Sequence, residues 1–188
     1  MEEARRGERE VFFVDAAHFV FGAFLGLVWS FVRRFVPTAA GRQRFNVLGA
    51  LNAVTRKLVW VDNLTYVNGE TVCQRLQKLR RQEKKNRSCW YSITPRYPRC
   101  HLVQGVAASL NIELLFLPPY SPNLNLIERV WKFVKKQALA SRYHEDFASF
   151  TATITACLTQ LPTHHTAAMK PLLPWNFQTF DKSQRMNR

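Results

Sequence analysis

A chain of 188 residues, 47% hydrophobic and 13% aromatic, is long enough to bury one good core. Its 27 Lys+Arg against 13 Asp+Glu leave a net charge of +14, which favours an anionic partner, nucleic acid first and an anionic membrane second. The four cysteines (Cys73, Cys89, Cys100 and Cys157) form no CxxC pair and no cysteine–histidine ladder, which argues against a zinc site and a disulfide framework and suits a reducing cytoplasm.

The opening MEEARRGERE is unlike the start of a signal peptide. VFFVD at 11–15 predicts a buried strand that ends in an acid. FVFGAFLGLVWSFV at 19–32 is the one membrane suspect, but it falls short of the roughly 20 apolar residues a span needs, and Asp15 and His18 lie just upstream. No membrane association is expected. Strand-like runs at 27–36 and 44–51 are separated by PTAAGRQ, which reads as a connection, and KLVWVDNLTY at 57–66 predicts another strand. Val72, Leu76 and Leu79 are spaced as the apolar stripe of a helix over 68–81. A helix at 99–111, a strand at 112–117 and helices at 123–139 and 144–161 complete the pattern, followed by a Pro-containing tail from 162. Strands first and alternating elements later predict an α/β fold: a mixed sheet with helices on its faces.

Two acids stand out. Asp15 closes a hydrophobic strand, where an unpaired carboxylate is costly to bury. It is either a surface cap or a functional group presented at a strand end. Glu128 follows a Pro-rich turn, and Leu124, Ile127, Trp131 and Val134 supply the buried stripe of its helix. One reading pairs Glu128 with Lys132 one turn on, worth a few tenths of a kcal/mol. The other makes it a metal ligand. Two acids on rigid elements of a basic protein suit Mg²⁺ or Mn²⁺ acting on a phosphodiester. His18 is expected to be a hydrogen-bonded structural residue and Trp131 to belong to the core.

FFVDAAHF, RFNVLGALNAVT, LLFLPPYSPNLNLIERVWKFVKK and YHEDFASF resemble the catalytic domain of mariner-like bacterial insertion-sequence transposases of the DDE superfamily. The resemblance covers about residues 10–160, and the Pro-Tyr-Ser-Pro–Asn-Leu-Asn-x-Ile-Glu block is its most specific part. It implies a ribonuclease-H-like fold, with three carboxylates holding two divalent metals for DNA cleavage and strand transfer. Asp15 matches the first carboxylate and Glu128 the third, while Lys132, Lys135 and Lys136 are candidate DNA phosphate contacts. The implied organisation is a leader remnant at 1–9, a catalytic domain at 10–161 and a C-terminal tail at 162–188. Family members carry helix-turn-helix readers of the element ends. None is expected ahead of the first strand here, so partners would be DNA and either a separate reader chain or a second copy. The implied location is the nucleoid of a bacterial cytoplasm.

The second carboxylate belongs in a family segment resembling LVLDNARYQ, where this chain reads CWYSITPRYPRC at 89–100 and places Ile93 at the acid. Asp occurs only at 15, 62, 146 and 181, and none can be moved to position 93. An allowed choice of codons for CWYSITP, regrouped by one nucleotide, encodes Leu-Val-Leu-Asp-Asn-Ala. A pair of compensating frame changes within residues 83–95 would therefore have replaced an Asp at 93, leaving 34 residues between it and Glu128. The chain as written is expected to be an inactive transposase domain. The alternative is a basic, non-catalytic DNA-binding remnant.

Overall fold

The computed structural model describes residues 2–22, 30–32, 35, 43–63, 69–82, 88–92, 100–118 and 121–177. The elements in chain order are α1 (Glu2–Arg5), β1 (Glu10–Val20), β2 (Arg44–Asn52), β3 (Leu58–Asn63), α2 (Gly69–Gln82), β4 (Ser88–Ser92), α3 (His101–Ser109), β5 (Ile112–Phe116), α4 (Ile127–Ala138), α5 (Phe147–Gln160) and α6 (Thr166–Met169). The five strands form one sheet in the order β3-β2-β1-β4-β5. β1 and β2 pair antiparallel, as do β2 and β3, while β4 runs parallel to both β1 and β5. The expected mixed sheet flanked by helices is the observed fold.

Alternation along β1 decides which layer each residue joins. Val11, Phe13, Ala17 and Phe19 share one core with Ile127, Val130 and Trp131 of α4 and Phe150 and Ile154 of α5. Phe12 and Val14 point the other way, into a second core with Val72 and Leu76 of α2 and Val103 of α3. A central strand covered on both faces reads as a continuous apolar run, and β2 is buried from Phe45 to Asn52 for the same reason.

Two boundaries beside the candidate acids differ from the sequence expectation. β1 does not stop at Asp15, because β2 stays in register with it out to Val20. The helix expected over 123–139 is divided. Pro122–Leu124 form a single 3₁₀ turn, Asn125 is extended, and α4 begins at Ile127. Most of the 27–36 strand candidate and the PTAAGRQ connection lie outside the described residues.

The ends of the described chain pack onto the same body. Ala4 is buried, and the Arg5 guanidinium sits 4.6 Å from the centre of the Trp175 ring. Beyond α5, Met169 and Leu173 are buried and the Trp175 indole N–H donates to the Ala53 carbonyl at 2.9 Å. The Phe177 ring lies 5.8 Å from that of Phe13. Residues 170–177 thus form a strap across the α4 side of the sheet.

Candidate active site

Asp15 is directly opposite Gly49 in the β1–β2 ladder, and opposed residues share a face of the sheet. Gly49 shows which face. A Cβ there would stand 2.6 Å from Trp131 Cη2 and 2.9 Å from Ile127 Cδ1. The missing side chain is therefore what lets α4 lie against the strands at this level. Ile127 and Trp131 come one residue before and three after Glu128, and both are buried, Ile127 completely. Asp15 and Glu128 are each half-buried.

A second link ties the same two elements together. Asn125, with no exposed surface, donates its side-chain amide to the carbonyl of Val14 at 3.2 Å. The chain thus turns into α4 against the residue preceding Asp15. Among the described residues the buried Asn125 Oδ1 atom has no hydrogen-bond partner. Asn125→Ala would remove the bond to the Val14 carbonyl and open a small void. Chemical denaturation should show a loss of about 1–2 kcal/mol.

The remaining sequence candidates fall elsewhere. Lys132, Lys135 and Lys136 are exposed on the side of α4 away from its apolar stripe. No Glu128–Lys132 ion pair forms among the described residues. His18 lies three residues beyond Asp15 and so faces the opposite side of the sheet, where its Nδ1 pairs with Asn46 Oδ1 at 2.6 Å. It is a structural histidine, as expected. Trp131 is core, edge-on to Phe19 at 6.4 Å.

β4 ends at Ser92, opposite Val14, one residue short of the level of Asp15. Ile93 and the rest of 93–99 lie outside the described residues, so the missing acid is a statement about sequence. Among the described residues no group of three or more His, Cys, Asp or Glu gathers as a metal site. The donor chemistry that is present still fits a hard divalent cation. Two carboxylates are carried by elements that pack against each other, and a buried amide oxygen with no hydrogen-bond partner among the described residues lies beside β1.

Sequence reasoning missed Gly49, the role of Asn125 and the strap. Gly49 did carry a signal, since a glycine inside a strand marks close approach of another element.

A family model described as "DDE superfamily endonuclease" matches residues 10–151. A curated protein from Sinorhizobium fredii, the uncharacterized protein y4pE/y4sA, is 40% identical over 47 residues, which are 25% of this chain and 35% of that protein. The chain thus matches about a third of that relative's length. Among solved structures, the Mos1 mariner paired end complex with Mn matches with a TM-score of 0.59 at 14% identity, over 91% of this chain and 56% of that one. The catalytic core domain of BIV integrase matches with a TM-score of 0.54 at 13% identity, over 81% and 83% of the two chains. The HTLV-2 integrase catalytic core domain in complex with magnesium gives 0.53 at 12%, over 81% and 86%. At such identities the likeness establishes the fold, a ribonuclease-H-like core.

Proposed function

This chain belongs to the DDE superfamily endonuclease family, and on that premise we propose that it is the catalytic domain of an insertion-sequence transposase, with Asp15 and Glu128 as two of its three metal-binding acids. The observation that carries this reading is the docking of the Glu128 helix on the Asp15–Gly49 pair. Asp15 and Glu128 would hold Mg²⁺ or Mn²⁺. When bound, two such ions supply activation of a water or 3′-hydroxyl and stabilisation of the leaving oxygen. The chain's own residues do the rest. The apolar stripe of α4 packs the helix that carries Glu128 against the sheet, and Lys132, Lys135 and Lys136 offer cations to DNA phosphates.

Ile93 favours a second reading, a basic DNA-binding remnant that keeps the fold without the chemistry. Both readings share the partner, DNA. Self-association and a separate helix-turn-helix reader belong to the proposal too; the Mos1 neighbour is a paired end complex, and an HTLV-2 core is described in dimeric form. No helix among the described residues is long and apolar enough to cross a membrane, which is compatible with action at the bacterial nucleoid.

The metal site is tested by Mn²⁺ electron paramagnetic resonance on the Ile93→Asp chain. Binding should be lost in both Asp15→Asn and Glu128→Gln. Binding indifferent to either would sink the assignment.

DNA binding should be steeply salt-dependent and indifferent to sequence, because phosphate contacts carry no sequence information. Changing Lys132, Lys135 and Lys136 together to Gln should flatten the log–log salt slope by about 2–3 units in an anisotropy titration. An unchanged slope would remove these lysines from the interface.

A further inference from the structure

We infer that Arg129 is a positioning residue, which holds Glu128 in place by fastening the first turn of α4 to the C-terminal strap. The inference rests on the reading of Asp15 and Glu128 as site acids.

The first turn of α4 lacks the usual support. Leu126 occupies the N-cap with helical backbone angles and no side-chain cap bond. Short-range backbone bonds, from the Glu128 N–H to the Asn125 carbonyl and from the Arg129 N–H to the Leu126 carbonyl, tighten the turn. A helix start without a cap is prone to fray. The Glu128 carboxylate would move with it. Asn125 secures the approach to the turn from below. Arg129 secures it from the other side.

Its guanidinium donates to three backbone carbonyls of the strap: to Leu172 at 3.2 Å, to Pro174 at 3.0 Å and to Asn176 at 2.6 Å. The planar fork matches acceptors spaced two residues apart, and charge assistance makes such bonds stronger than neutral ones. A cation in the first turn also runs against the helix dipole, so helix propensity does not explain it. The strap has its own anchors on the sheet, through the Trp175 N–H to Ala53 and Phe177 on Phe13. A continuous path therefore runs from the strand of Asp15, through the strap and Arg129, to Glu128. Residues 170–177 are part of what sets the spacing of the two acids.

The test measures that spacing directly, without metal or catalysis. In a full chain with Cys73, Cys89, Cys100 and Cys157 replaced by Ala or Ser, Asp15→Cys and Glu128→Cys are joined by a short bismaleimide, and the rate is followed by mass. The parent should cross-link readily, and Arg129→Ala should react about tenfold more slowly, the factor set by losing one strong group of bonds. Arg129→Lys, which keeps the charge but not the fork, should fall between them. Trp175→Phe leaves the Arg129 side chain in place, but it removes the indole N–H bond to Ala53 and should also slow the reaction. That keeps the test alive should Arg129→Ala fold poorly. Rates equal to the parent in Arg129→Lys and Trp175→Phe would overturn the role of Arg129 and leave the site reading standing. A parent that does not cross-link would overturn both.

Discussion

Given Mg²⁺ and DNA carrying element ends, the chain as written is expected to produce no nicking above background. Three carboxylates in this family supply the negative charge that lets two divalent ions share a site. By the family resemblance, this sequence carries Ile93 at the position expected for one of them. Mg²⁺ gives up its hydration reluctantly, and two acids offer less to replace it. Losing two-metal geometry removes both activation of the nucleophile and stabilisation of the leaving group, so the rate should fall by several powers of ten. Replacing residues 87–95 by the reconstructed strand, with Asp at position 93, should restore Mg²⁺-dependent nicking. A helix-turn-helix module fused to the chain would bring the ends to the site. The described part of β4 runs parallel to β1 as far as Ser92, opposite Val14. Robust cleavage by the unrepaired chain, abolished by Asp15→Ala, would mean that another group does the work of the missing acid.

What was legible in the sequence follows from what repeats in it. β2, α2, α3 and β5 agree with expectation within about two residues, as does the start of β3, because strand alternation and helical spacing are written in side chains. β1 was cut short at Asp15 because burying an acid inside a strand is costly. That cost is not met in full here, since Asp15 is only half-buried. The break at Asn125 was hidden for a different reason: one tertiary bond to the Val14 carbonyl decides it. The strap was hidden most completely. Arg129 binds carbonyl oxygens, and every residue has one, so no residue type in 170–177 announces the contact. Asp15 and Glu128 are singled out by the motifs that contain them, whereas the packing of α4 on the strand of Gly49 turns on a residue with no side chain to notice.

Gly49→Val is therefore expected to be the most damaging single change outside the acids. Valine suits a strand intrinsically, so propensity alone predicts a gain. Packing predicts the reverse. Its first carbon would lie 2.6 and 2.7 Å from two atoms of the Trp131 ring and 2.9 Å from Ile127 Cδ1. Neither neighbour can swing away, because Trp131 is 2% exposed and Ile127 has no exposure at all. The remaining escape is for α4 to lift off the sheet. Overpacking of this kind costs about 3 kcal/mol, a large share of a stability of roughly 5–15 kcal/mol. Gly105→Ala is the control. Gly105 sits on the exposed side of α3 with nothing within 4 Å of a new Cβ, so the change should stabilise by about 0.5–1 kcal/mol. Urea melts of the two variants should shift in opposite directions. The Gly49 variant should also cross-link positions 15 and 128 more slowly, because the helix that yields is the one carrying Glu128. A Gly49→Val chain as stable as its parent would show that α4 does not bear on the Asp15–Gly49 pair, and the two acids would lose their common face.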